Sequence, residues 1–194
     1  MNEGVVFVVY GKPAQAAFKA ATRGLGMFSP ALPITRHTGM IRGYNNVENS
    51  RFAKVTLLDW SPYDLTLYMD ADIVPKADVS QPFQFLKDGW DMVITASDNQ
   101  GDEALWHLDT PDRDHTLISW GCIPLQLQCG LMWIKRSPLM IRFFNRWKSE
   151  WMKYKGQDQG AFLRALNRIP IRLLVLDKSY RDHLIRHNHG MARS

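Results

Sequence analysis

The chain has 194 residues, a formal net charge of +5, 45% hydrophobic and 22% charged residues, and two cysteines. That length fits one domain with a substantial core, and the balance of apolar to charged residues excludes a disordered chain. The longest apolar run near the start, Val5 to Tyr10, is too short to cross a bilayer and has no basic segment or cleavage signature beside it. The expectation is a single domain over residues 1–194, cytoplasmic, with no signal peptide or transmembrane segment.

Residues 4–13 read GVVFVVYGKP, a β-branched strand that breaks at Gly11. Pro13 suits a first helical turn, and the helix runs from Ala14 to Leu25, where Gly24 and Gly26 are expected to stop it. In an open parallel sheet the ligand lies at the carboxyl ends of the strands, so the Tyr10-Gly11-Lys12 turn faces it. Tyr10 either stacks on a base there or is plain core. Ala31 to Thr38 reads as a second strand. Asn45, Asn46, Asn49 and Ser50 are turn and cap residues before a helix from Arg51 to Trp60, on which Arg51 and Lys54 share a face.

Leu65 to Pro75 reads LTLYMDADIVP, an apolar strand running into Asp70 and Asp72. Burying such carboxylates costs several kcal/mol unless something compensates them. Side chains at i and i+2 of an extended chain point the same way, so the pair converges on one point. A divalent cation is the natural compensator, and oxygen ligands with room for water favour Mg²⁺ or Mn²⁺ over Zn²⁺. The alternative is a pair of solvated turn aspartates.

Gln81 to Lys87 is a short helix and Trp90 to Ala96 a strand that ends near Asp98. From Asn99 to Pro124 the chain is polar and aromatic with little periodicity, which predicts a long loop serving acceptor binding or acting as a lid. Leu125 to Lys135 is a strand in which Gly130 permits close approach of a ligand or neighbour. Arg136 to Lys155 is an amphipathic helix whose aromatics either cover a sheet or meet a membrane surface or nucleic acid. A further helix starts at GQDQGAF with Asp158 and Gln159 in its first turn, where amide dipoles favour a carboxylate. Ile171 to Leu176 is the last strand, and the tail reads HLIRHNHGMARS. Cys122 and Cys129 read as core thiols. Residues 98–114 hold six acids against one base, whereas 164–193 hold seven bases against two acids. The basic half suggests an anionic ligand or acceptor.

The stretch SRFAKVTLLDWSPYDLTLYMDAD resembles the metal-binding region of GT-A glycosyltransferases, most closely the retaining galactosyl- and glucosyltransferase family that includes glycogenin. Weaker likenesses follow in the family's order at the first strand, at QCGLMWIKRSP, at GQDQGAF and at HNHG. The resemblance implies an α/β, single-domain GT-A fold with a mostly parallel, Rossmann-like sheet flanked by helices. It implies a metal site of Asp70, Asp72 and His187 holding Mn²⁺ or Mg²⁺. Donor contacts would come from Tyr10, Gly11, Lys12, Arg51, Lys54, Asp98, Gln128, Gly130, His189 and Gly190. Asp158 and Gln159 would lie beside the anomeric carbon. The family's phosphate lysine after the His motif is missing, and Arg193 is the candidate substitute.

The expected activity is transfer of a sugar from a nucleotide diphosphate sugar, UDP-sugar first, to an acceptor hydroxyl with retention. A glycan or lipid-linked acceptor is expected ahead of nucleic acid, which the basic half also suits. The rivals are a sugar nucleotidyltransferase, which needs a Gly-rich basic loop after its first strand, and a non-catalytic nucleotide-sugar or nucleic-acid binding module.

Overall fold

The computed structural model describes residues 1–188. The strands are β1 (Glu3–Val8), β2 (Ile34–His37), β3 (Leu65–Met69), β4 (Ile73–Pro75), β5 (Met92–Ala96), β6 (Leu127–Lys135), β7 (Leu173–Leu176) and β8 (Ile185–His187). The helices are α1 (Gly11–Phe28), α2 (Asn46–Val55), α3 (Leu57–Trp60), α4 (Phe83–Lys87), α5 (Thr110–Trp120), α6 (Pro138–Trp151), α7 (Asp158–Arg168) and α8 (Lys178–Leu184). Among the described residues no helix is long and apolar enough to cross a membrane.

The main sheet is six-stranded in the order β2-β1-β3-β6-β5-β7. β6 runs antiparallel to both of its neighbours, while the other pairings are parallel, so all strands but β6 point the same way. The expected mostly parallel α/β sheet is therefore present. Its interior strands are apolar on both faces because helices cover both. Val6 and Val8 pack with α6 and α7, whereas the alternate residues Val5 and Phe7 pack with α1 and α4.

The aromatic side of α6 is part of that core. Phe143, Phe144, Trp147 and Trp151 are all buried, and the Phe143 and Phe162 rings stand 5.3 Å apart between α6 and α7. Each such ring removes roughly 150–250 Å² from water, a gross gain of about 4–6 kcal/mol before entropy is charged against it. The sheet-covering reading of this helix holds. Trp147 and Trp151 also donate their indole N–H groups to the carbonyls of Asp158 and Gly156, at 2.9 and 3.0 Å. The α6 core thereby fixes the entry into α7.

Several local expectations differ from what the chain does. Gly24 and Gly26 do not end α1, which continues to Phe28. Gly24 is buried against β4, where a Cβ would lie 2.9 Å from the Pro75 carbonyl oxygen, so it serves close packing. The expected Arg51–Trp60 helix is two pieces interrupted at Thr56, and it starts earlier. Asn45 caps α2 in a reciprocal box with Glu48, which places Asn46, Asn49 and Ser50 inside the helix. The supposed loop of 99–124 contains α5. Cys129 is buried as expected, but Cys122 is exposed.

A second, two-stranded sheet matters most for the site. β8 pairs antiparallel with β4, placing His187 opposite Ile73, and the Asn188 N–H donates to the Asp72 carbonyl at 3.0 Å. The end of the described chain is thus stitched beside the Asp70–Asp72 turn.

Candidate functional site

At the carboxyl ends of β1 and β3 lies a cleft of about 790 Å³. Tyr10, Gly11, Arg51, Lys54, Asp70, Asp72, Asp98, Gln128, Asp158, Gln159 and His187 all line it. Lys12 is exposed and is not part of the cleft wall. His189, Gly190 and Arg193 lie outside the described residues.

Lys54 is the electrostatic centre of the floor. Its ammonium stands 3.2 Å from Asp70 Oδ1 and 3.1 Å from Asp158 Oδ2, and 5.1 Å from the Tyr68 ring centre. Burial alone would lower the Lys54 ammonium, but the Asp158 and Asp70 carboxylates more than reverse this and hold it above the ordinary lysine range. Lys54 therefore stays charged and ties the turn after β3 to the first turn of α7. Tyr68 donates to Asp70 Oδ1 at 2.6 Å. Burial first, and the nearby carboxylates next, push the Tyr68 phenol well up, so it remains a donor.

Gly130 is not a lining residue. A Cβ there would lie 2.6 Å from Asp70 Oδ2, so this glycine on β6 makes room for the Asp70 carboxylate. The close approach expected at Gly130 is made by a neighbouring side chain.

Asp70 and Asp72 follow the end of β3 in a turn rather than in extended chain. Asp70 is engaged by Lys54 and Tyr68. Asp72, 7% exposed, has its Oδ1 3.4 Å from His187 Nε2. The other ring nitrogen of His187 is 3.3 Å from Gln128 Nε2. Among the described residues no group of three or more His, Cys, Asp and Glu side chains is gathered tightly enough to enclose a metal.

Tyr10 lines the cleft from its base. Its hydroxyl donates to the Gly39 carbonyl at 2.5 Å, leaving it to accept from His37 Nδ1 at 2.9 Å. The His37 ring lies 4.6 Å from that of Trp60. Burial lowers the His37 imidazole and so favours its neutral form, and the Tyr10 hydroxyl, which already donates elsewhere, places the ring proton on Nδ1. Asp98, also lining the cleft, accepts from the buried Arg181 at 2.8 Å, and Lys178 is 3.4 Å away. Burial raises the Asp98 carboxyl, but the hydrogen bond and charge of Arg181 outweigh that and hold it below its ordinary value. Arg51 bonds to Gln157 at 2.8 Å, joining α2 to the segment before α7.

Trp106, His107, Gln126 and Gln157, to which the motifs above assign no role, also line the cleft. Trp106 follows Leu105, which has a φ of +64°. A non-glycine residue there costs about 1–2 kcal/mol. Leu105 is fully buried and its N–H donates to the Gln126 side chain at 2.7 Å, which sustains the turn. The signal available in the sequence was an aromatic pair, Trp106-His107, inside an otherwise polar segment.

The chain matches no family model and no curated protein in sequence. It does match solved structures. Mouse xyloside xylosyltransferase 1 in its apo form aligns with a TM-score of 0.59 at 14% identity, over 94% of this chain and 90% of that one. A glycosyltransferase involved in the glycosylation of the major capsid of PBCV-1 gives 0.58 at 11% identity, over 98% and 96%. The galactosyltransferase LgtC, in complex with donor and acceptor sugar analogues, gives 0.57 at 14% identity, over 98% and 81%. The fold is that of GT-A-like glycosyltransferases, as the resemblance implied.

Proposed function

We propose that the chain is a glycosyltransferase that binds a nucleotide diphosphate sugar, UDP-sugar first, in this cleft and transfers the sugar to an acceptor hydroxyl with retention. The observation that carries this reading is the convergence of Lys54, Asp70, Asp72, Asp158 and His187 from separate stretches of chain onto one cleft. A divalent cation, Mn²⁺ or Mg²⁺, fits the donor set as a two-ligand site. Asp72 and His187 face each other, and Mg²⁺-type ions need only one or two protein ligands when substrate phosphates and water complete the shell. Turning the Gln128 amide over would let His187 Nδ1–H donate to its oxygen and leave the Nε2 lone pair toward Asp72. When bound, the cation supplies Lewis-acid stabilisation of the departing diphosphate.

The chain's own residues do the rest. Lys54 holds the Asp70 and Asp158 carboxylates in place. Asp158 presents negative charge where the sugar becomes cationic as the bond from the anomeric carbon to the phosphate oxygen breaks, with Gln159 beside it. The acceptor oxygen attacks from the face the diphosphate leaves, and its proton passes to the departing phosphate oxygen. No residue has to act as a nucleophile.

The test is incubation with a panel of nucleotide diphosphate sugars and Mn²⁺ or Mg²⁺, following release or transfer of the sugar. Turnover of at least one donor that disappears in Asp158→Ala is expected. Pyrophosphate formation from a nucleotide triphosphate and a sugar phosphate would instead identify a nucleotidyltransferase. Binding without turnover of any donor would leave only a binding module.

A further inference from the structure

Seven tryptophans are a large number for this chain, and six of them are built into it. Trp60, Trp120, Trp133, Trp147 and Trp151 each donate an indole N–H to a backbone carbonyl. Trp90 lies under the Arg172 guanidinium, 5.8 Å from its ring centre. Trp106 is different: it is 63% exposed at the cleft wall, and among the described residues its indole N–H has no hydrogen-bond partner.

Its position is fixed. Ala104, Leu105 and Leu108 around it are buried, and Leu105 holds a left-handed backbone against the Gln126 side chain. Gln126 is itself buried, and its backbone N–H and carbonyl are bracketed by the Gln100 amide at 3.0 and 2.8 Å. A strained, hydrogen-bonded backbone that holds a large aromatic face at a cleft fits a binding contact.

We infer that Trp106 is the stacking platform for a sugar ring of the acceptor, making the acceptor a glycan with an exposed apolar pyranose face. The inference rests on reading the cleft as a transfer site. The C–H face of a pyranose lies flat on an indole, while its hydroxyls meet polar groups that line the same cleft. A nucleic-acid base also stacks on tryptophan, but a polyanion needs cations around it. Residues 98–114, which contain Trp106, hold six acids and one base. Asp98 and Asp112 among these are paired with Arg181 and Arg164, and the segment itself supplies no surplus of cations for a polyanion, which favours the neutral sugar.

The test uses the ¹⁵N-labelled full chain. Trp106→Phe identifies the Trp106 indole N–H resonance by its loss, and lactose, cellobiose, maltose and a single-stranded dT oligonucleotide are titrated separately. At least one disaccharide should move that resonance saturably, and Trp106→Ala should weaken its binding about tenfold, as loss of an aromatic contact does. Trp106→Phe should weaken it only a few-fold. A resonance unmoved by all three disaccharides, or moved only by the oligonucleotide, overturns the proposal. If the disaccharide shift is seen but no nucleotide sugar is turned over, the transfer reading falls and Trp106 stands as a glycan platform.

Discussion

Replacing Arg164 by Met tests the clamp that holds α5 beside the cleft. Arg164, 2% exposed, bonds to Asp112 Oδ1 and Thr116 Oγ1 on α5, both at 2.5 Å, and to Glu150 Oε2 on α6 at 3.0 Å. Met fills similar volume but leaves Asp112 buried without its cation, whereas Glu150 keeps Lys153 at 2.7 Å and Arg146 at 2.5 Å. Breaking one side of a buried pair costs about 3–5 kcal/mol. At this chain length that corresponds to a melting temperature lower by roughly 6–20 °C. The cost should depend on pH in a specific direction. Burial already holds the Asp112 carboxyl above its ordinary value, despite the opposing pull of Arg164. Without Arg164 it rises further. The penalty is then largest at neutral pH, where Asp112 is ionised, and shrinks as the pH falls through its folded-state value and the carboxyl takes up a proton. Urea denaturation at about pH 7.5 and at about pH 5 measures the cost and its dependence on pH. A cost under about 1 kcal/mol, or one that does not shrink toward acid, would refute the assignment of Asp112 as the stranded charge.

Gly130→Ala should displace the Asp70 carboxylate and weaken nucleotide-sugar binding while the circular dichroism spectrum is kept, because the added Cβ would meet Asp70 Oδ2 at 2.6 Å; unchanged affinity would show that Asp70 is not held where donor binding needs it. Lys54→Met should lower kcat/KM by about 100-fold or more, since two carboxylates lose their common cation; Lys54→Arg should not rescue it, because a guanidinium fork does not fit the site of a compact ammonium. Rescue by arginine would mean that only the charge matters there.

Much of this was legible in the sequence because it is written in apolar periodicity and in short motifs. The apolar runs of β1 and β3, the two aspartates directly after β3, and Asp158 in the first turn of α7 lie where the sequence pattern put them. The misses have physical causes. The fully buried positions of α5 are Asp112 and Thr116, four residues apart, while Leu117 and Trp120 are only partly buried against the core. Asp112 and Thr116 are polar because they meet Arg164, so the helical period is carried in part by residues that a hydrophobic reading discards. Pro111 at its start and Gly121 at its end, with a φ of +69°, were the remaining signals. Gly24 looked like a helix stop because its neighbour, Pro75, is distant in sequence. The antiparallel direction of β6 leaves no mark in a strand that is buried on both faces. Lys54 was visible as a cation near the donor site, but its two carboxylate partners emerge only when α2, β3 and α7 are assembled.

Calorimetric titration of UDP into the protein with Mn²⁺ asks whether Asp72 and His187 hold a cation against the diphosphate. Saturable binding is expected that is lost when the metal is chelated and is at least about 100-fold weaker in Asp72→Ala and in His187→Ala, since metal ligands act together with the diphosphate. Binding of equal affinity with and without Mn²⁺, or unchanged in Asp72→Ala, would contradict that role.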